Sequence, residues 1–300
     1  MATTTDVSAS SGRTGVRERL ASLTPGPRVS RDTGRAVARA LINAVLTLAI
    51  VVGLWQAVVS FTGISSYVAK GPLDVWSYLF VTDPDASSTA AEHRADMWEV
   101  TWKSLTDASF GFAVGLSVAI VLAVLFTLSK AVEAGVMPLA LLLRSVPLVS
   151  IAPVIILLTG RGTAASVAVI GTIVVLFPAL ASVLFGLSRA SRESLDLVHV
   201  YGGGNLAALR KVAIPGALPS LFAAARVSVP GAVTGALLAE WLSTGQGVGG
   251  NIVKYSAAAQ FDQLWASVAI ITLITLALYN VVLLVETAVL ARMGMSQQQV

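Results

Sequence analysis

The sequence predicts an all-α fold: a polytopic membrane helix bundle with about six transmembrane helices and one polar helical loop on the cytoplasmic side. Three observations carry that prediction. Hydrophobic residues make up 55% of the 300 positions and the mean hydropathy is +0.80. Charged residues make up only 12%, against about a quarter in an ordinary soluble domain. The apolar residues also gather into runs that match a bilayer, since a helix needs about 20 of them to cross the hydrocarbon core.

Taken in order, residues 1–35 read as a mobile basic cytoplasmic tail. They are rich in Ser, Thr, Gly and Arg, with too little apolar surface to offset the entropy of ordering. The readings open for it are a solvated tail beside anionic lipid and a regulatory segment. Residues 36–292 form the predicted transmembrane domain, and 293–300 a short C-terminal tail. The first span is 40–61, an uncharged run ending near Trp55 and Phe61, as interfacial aromatics do. Residues 62–104 read as a polar exterior connection. Within it, GPLDVWSYLF fits a short amphipathic helix lying on the interface, with Trp76, Leu79 and Phe80 towards lipid. Further spans are expected at 107–128, 132–159, 163–187, 217–242 and 264–290, the third of the six kinked at Pro147 and Pro153.

The basic residues set the orientation. Placing both termini in the cytoplasm puts thirteen of the 20 Lys and Arg inside and five outside, with Arg144 and Arg226 within spans. The basic balance, with a pI near 9.6, follows from this topology and does not require a nucleic-acid partner. The absence of cysteine excludes disulfides and thiolate metal sites.

Between the fourth and fifth spans lies a polar, glycine-broken stretch, 192–219. Leu195, Val198, Leu206, Leu209 and Val212 recur at near-helical spacing, and Gly202-Gly203-Gly204 supplies a turn, so the stretch reads as helix, tight turn, helix. Pro215 and Pro219 mark its exit. It has the form of a docking knob on the cytoplasmic face.

Other motifs point to no chemistry. Gly245-x-Gly247-x-x-Gly250 matches the dinucleotide fingerprint in letters, but no strand precedes it. A flexible exterior turn that lets Val248 and Ile252 pack near the mouth of a pathway is the better reading. There is no GxxxxGK[ST] loop, so ATP hydrolysis cannot be assigned to this chain, and no cofactor is expected. His93 and His199 fall in different compartments. Glu240 is an ionisable group inside a span, which by default faces a partner or a water-filled pathway. Both readings stand, with Gly247 and Gly249 grouped beside it as a pathway or gate. Arg144 and Arg226 read as structural anchors whose long side chains reach water or phosphate.

The knob also carries a resemblance. It is similar to the cytoplasmic loop of bacterial importer membrane subunits, whose pattern is Glu-Ala-Ala, three residues, Gly, nine residues, Ile-x-Leu-Pro. Setting Gly202 on the family glycine puts Val212, Ile214 and Pro215 on the last motif and Asp196 on the acidic position. Asp replaces Glu there, and Leu197 and Val198 stand where the family prefers alanine. The stretches YVAKGPLDVW, TWKSLTDASFGFAVG, LRSVPLVSIAP and AEWLSTGQGVGGNI extend the likeness over nearly all of 40–292, towards the sulfonate, nitrate and taurine branch of binding-protein-dependent ABC importers. What the resemblance implies is a permease subunit of the bacterial plasma membrane that pairs with a second copy. It would be gripped by a dimer of ATP-binding subunits and receive a small solute from an external binding protein. Asp196 would pair or cap within the knob, Gly202 permit its turn and Pro215 fix its exit. The rival reading is a stand-alone ion-driven carrier or channel, which would need a polar midplane site of its own.

Overall fold

The structure, a computed structural model, describes residues 29–61, 63–82, 84 and 88–295. The predicted tail up to residue 28 and the last five residues lie outside the described residues. Every regular element among the described residues is a helix. In chain order these are α1 (Val29–Phe61), α2 (Pro72–Phe80), α3 (Ala90–Leu128), α4 (Lys130–Ser145), α5 (Leu148–Thr159), α6 (Ala164–Ser188), α7 (Arg192–Val200), α8 (Asn205–Ala208), α9 (Ile214–Ala239), α10 (Gly247–Ala257) and α11 (Phe261–Arg292). A π turn, Leu209–Ala213, precedes α9 and a second, Glu240–Thr244, follows it. The chain divides into two compact units, Met1–Leu54 and Trp55–Val300. Of the first, the described part is α1 from Val29, so residues 29–35 are already helical.

Among the described residues, four helical segments are long and apolar enough to cross a membrane: Ala90–Leu128, Ala164–Ser188, the continuous run Asn205–Thr244, and Phe261–Arg292. Val45–Phe61 and Leu148–Thr159 are shorter apolar helices. The apolar segments anticipated from composition therefore all appear as helix, with three differences in detail.

First, α3 begins at Ala90, well before the span expected at 107. Thr89 accepts from the Glu92 N–H at 3.3 Å, and the Glu92 carboxylate accepts from the Thr89 N–H at 2.7 Å. This reciprocal capping box starts the helix in the polar segment, so Glu92, Asp96 and Glu99 are helix-borne. Second, the stretch 132–159 is broken, not merely kinked. Val146 and Pro147 are extended (ψ 124° and 122°) between α4 and α5. Proline disfavours helical geometry in the residue before it and brings no N–H of its own. Third, Leu79 turns inward with Val75 against Met97 of α3 and Ala266 of α11, while Trp76 and Phe80 are exposed as expected. Apolar packing draws the Leu79 side chain in, and the Arg94 guanidinium ties α2 to α3 by donating to the Leu79 carbonyl at 2.7 Å.

The heart of the second unit is the packing of α3, α6 and α9. These helices meet through small residues, as helices do when lipid removes the hydrophobic incentive to associate and van der Waals contact must serve instead. A Cβ on Gly111 of α3 would lie 3.0 Å from the Gly171 Cα of α6, and one on Gly235 of α9 would lie 3.0 Å from that same atom. Around this glycine contact the core is largely alanine, with Ala119, Ala123, Ala179, Ala217 and Ala224 buried and Phe126, Val175 and Val183 filling between them. At one end the Gly162 N–H donates to the Ser243 hydroxyl at 3.0 Å, and Ser243 in turn meets the Ser166 hydroxyl at 2.8 Å. The start of α6 is thereby tied to the end of the α9 rod. Since α6 runs away from that end and α9 returns to it, the knob lies at the opposite end. Its distance is about 39 Å along 26 residues of α9.

Candidate functional site

The knob has the predicted helix–turn–helix form. Ser191 caps α7 by accepting from the Ser194 N–H at 3.2 Å. The far end closes as a Schellman motif: the Gly203 N–H donates to the Val198 carbonyl at 2.9 Å and the Gly202 N–H to that of His199 at 2.9 Å. Gly202 is left-handed, with φ +79°. Gly203 has an ordinary φ but no room, since a Cβ there would fall 2.5 Å from Val198 Cγ1 and 2.9 Å from its carbonyl oxygen. Apolar side chains face outward, with Val200 82% and Tyr201 84% exposed and Leu197 and Leu206 also open. Glu193, Asp196, Arg210 and Lys211 surround them, all exposed.

Asp196 forms no hydrogen bond or ion pair with any described residue, so the internal cap belongs to Ser191. Val212, Ile214 and Pro215 are half-buried where the knob feeds into α9. Pro215 cannot donate to the helical ladder, and the first π turn sits directly before it.

At the other end of α9, Glu240 is wholly buried and has partners. Its Oε2 accepts from the Ser104 hydroxyl at 2.8 Å and from the Gly249 N–H at 2.9 Å. Ser104 Oγ accepts in turn from the Val248 N–H at 2.8 Å. The carboxylate thus joins α9, the first turn of α10 and the middle of α3 in one knot, satisfying N–H groups that a helix start would otherwise leave unpaired. Glu240 Oε1 has no partner among the described residues. Gly247, at φ +65°, lies against it, and a Cβ there would sit 2.3 Å from the carboxyl carbon.

The glycine run is not the loose exterior turn expected of it. A Cβ on Gly249 would lie 2.1 Å from the Leu237 carbonyl oxygen, and one on Gly250 2.1 Å from the Gly245 carbonyl carbon. Backbone pressed on backbone, not freedom, accounts for these glycines. Ser104 escaped the sequence reading because a serine 136 residues from Glu240 carries no local signal.

Arg226 also finds a partner instead of reaching for water: its Nη1 donates to Glu286 Oε2 at 3.0 Å, and its guanidinium lies 5.9 Å from the Tyr279 ring centre. Arg144 is exposed at the end of α4. His93 serves structure, stacking on Tyr78 at 4.1 Å. No cluster of metal-ligating side chains occurs among the described residues.

Residues 111–295 match the family described as binding-protein-dependent transport system inner membrane component. The chain belongs to that family. It is 27% identical over 239 residues to a probable ABC transporter permease protein of Haemophilus influenzae, covering 80% of this chain and 93% of the relative. It is 27% identical over 241 residues to a riboflavin transport system permease protein of Chloroflexus aurantiacus, covering 80% and 86%. Against a putative aliphatic sulfonates transport permease protein of Escherichia coli the identity is 25%, covering 81% and 87%. Among solved structures, an amino acid ABC transporter is similar in fold, with a TM-score of 0.53 at 14% identity over 66% of this chain and 96% of that one. The chain is accordingly an ABC transporter permease, a helical multi-pass membrane protein.

Proposed function

We propose that this permease forms the translocation pathway of an ATP-driven importer in a bacterial plasma membrane. Two copies form the membrane part, both termini of each are cytoplasmic, and a separate pair of ATP-binding subunits docks on the knob. An external binding protein delivers the solute. Relatives are named for riboflavin, formylaminopyrimidine and aliphatic sulfonates, and the solute here is a small organic molecule of comparable size.

The observation that supports this most is the exposed apolar tip of the knob, Leu197, Val200, Tyr201 and Leu206, ringed by charge. Clustered exposed apolar side chains on a polar loop mark a protein contact. The knob is continuous with α9, which runs the length of the bundle to the Glu240 knot. Closure of the nucleotide-bound ATPase pair would displace the knob, and the α9 rod would carry that displacement to the far end. Coupling is then a switch between two packings biased by ATP. Asp196, Gly202, Val212, Ile214 and Pro215 would serve this coupling, and Glu240, Gly247 and Gly249 the outer gate.

The test is a substitution at Gly202. Its Cβ would enter open space, so Gly202→Val strains only the left-handed turn, by about 1–2 kcal/mol. The variant should insert and bind the ATPase subunits while ATP-driven uptake falls at least tenfold. Wild-type uptake in that variant, or failure of the wild-type permease to co-purify with any nucleotide-binding subunit, would contradict the proposal.

A further inference from the structure

Two adjoining cavities open on the second unit. One, of about 470 Å³, is walled by α9 and α11. The other, of about 650 Å³, is walled by α9 and α10. They share Thr234 and Leu237 of α9, so together they form one continuous stripe along that helix. Both volumes fall in the range of small-molecule sites, about 300–1,000 Å³.

The chemistry of the stripe is uniform. Among the described residues, no Lys, Arg, Asp or Glu lines either cavity. Of the charged groups that flank the lining in sequence, Lys254 beside Val253 is exposed and lines neither cavity, and two others are neutralised or turned away. Arg226, beside Tyr279, is held by Glu286 at 3.0 Å, and Glu240, adjacent to Trp241, is wholly buried in its knot with Ser104 and Gly249. What the stripe offers instead is hydroxyls. Thr234 donates to the Pro230 carbonyl at 2.9 Å, which leaves its oxygen free to accept. The side-chain hydroxyls of Ser256, Thr272 and Tyr279 make no hydrogen bond with any described residue. A groove made only for lipid tails has no use for three such unbonded hydroxyls, because each is costly where it cannot be paired.

Resting on the importer reading above, we propose that this stripe selects an uncharged, hydrogen-bonding organic solute and disfavours sulfonates and other anions. An anion at Thr234 would leave water and meet no cation among the residues that line the stripe, the situation membrane interiors avoid. An uncharged solute would exchange its water contacts for the hydroxyls of Thr234, Thr272 and Ser256, with Trp241 and Tyr279 presenting apolar faces to the rest of it.

The chain contains no cysteine, which allows a test that needs no knowledge of the solute. Thr234→Cys, Thr272→Cys and, as an exposed reference, Ala258→Cys are introduced singly into the full-length permease assembled with its ATP-binding subunits in nanodiscs. Each is labelled with hydroxyethyl methanethiosulfonate, which is neutral, and sulfonatoethyl methanethiosulfonate, which is an anion. The ratio of neutral to anionic labelling rates at Thr234→Cys and Thr272→Cys should exceed the ratio at Ala258→Cys at least tenfold. Ratios equal to that of the reference would overturn the selectivity. Absence of labelling by either reagent, with Ala258→Cys reacting normally, would overturn the site, since lipid or another chain would then seal it. Two positions on different helices guard against one variant failing to fold. Failure of the importer reading is a separate signal: the unsubstituted permease would not hold an ATP-binding subunit through purification.

Discussion

Replacing Glu240 by alanine should destabilise the protein more than any other single substitution at that end of α9. The carboxylate accepts two hydrogen bonds in a fully buried setting. Its removal leaves the Gly249 N–H without an acceptor, while the Ser104 hydroxyl can turn back to a carbonyl of its own helix. An orphaned buried donor costs about 1–3 kcal/mol, and the vacated side-chain volume adds to this, for roughly 2–5 kcal/mol in all. At about 2–4 °C per kcal/mol for a domain of this size, the melting temperature should fall by roughly 4–20 °C. Glu240→Gln keeps an acceptor for both donors and should lie between the two. Thermal unfolding of detergent-solubilised protein, followed by tryptophan fluorescence at one fixed heating rate, reads the order directly. Ser104→Ala and the double variant complete a cycle whose coupling should exceed about 0.5 kcal/mol, as for residues in one network. An Ala variant melting with the wild type, or strict additivity with Ser104→Ala, would refute the knot.

Three further outcomes follow from contacts described above. Gly249→Ala drives a methyl to 2.1 Å from the Leu237 carbonyl oxygen, so the backbone must separate; the variant should express poorly or lose several degrees of thermal stability, against little change for Gly204→Ala, whose Cβ meets open space. Arg226→Ala leaves Glu286 buried without its cation and should cost about 3–5 kcal/mol, while Arg226→Leu combined with Glu286→Leu should recover most of that in the same melt. Burial, with Tyr255, Asp96 and Asp262 nearby, pushes the Tyr78 phenol up to about 12 from its ordinary 10. The neutral ring is therefore favoured in the folded state: its contribution is complete below pH 10 and is lost as pH rises from 10 through 12. Ultraviolet titration should show a late-ionising phenol that Tyr78→Phe removes.

Much of this fold was legible because lipid imposes a one-dimensional signal. Apolar runs marked where helices cross, and the glycine triplet with its flanking periodicity marked the knob. What hydropathy does not register is a polar helix: the apolar run begins only near 107, although Thr89 and Glu92 already spell the start of α3. Nor does it register contacts between distant helices. Glu240 was visible as an oddity, with Gly249 grouped beside it, but Ser104 was not visible as its partner, nor Val248 as the partner of Ser104. The letters of Gly245–Gly250 suggested looseness, whereas their true cause is the approach of Leu237, known only once α9 and α10 are placed. Arg226 and Glu286 could each be seen, but not their meeting.

Each π turn flanking α9 holds one residue more than an α-helical turn would need. A single-residue deletion in Leu209–Ala213 would turn the rod by about 100° relative to the knob while leaving its sequence untouched. The wide turns act as phase adjusters. They let one end of the rod be re-indexed without rewriting the alanine and glycine face that packs against its neighbours, so insertions and deletions between related chains should concentrate at these two places and spare the helix between them.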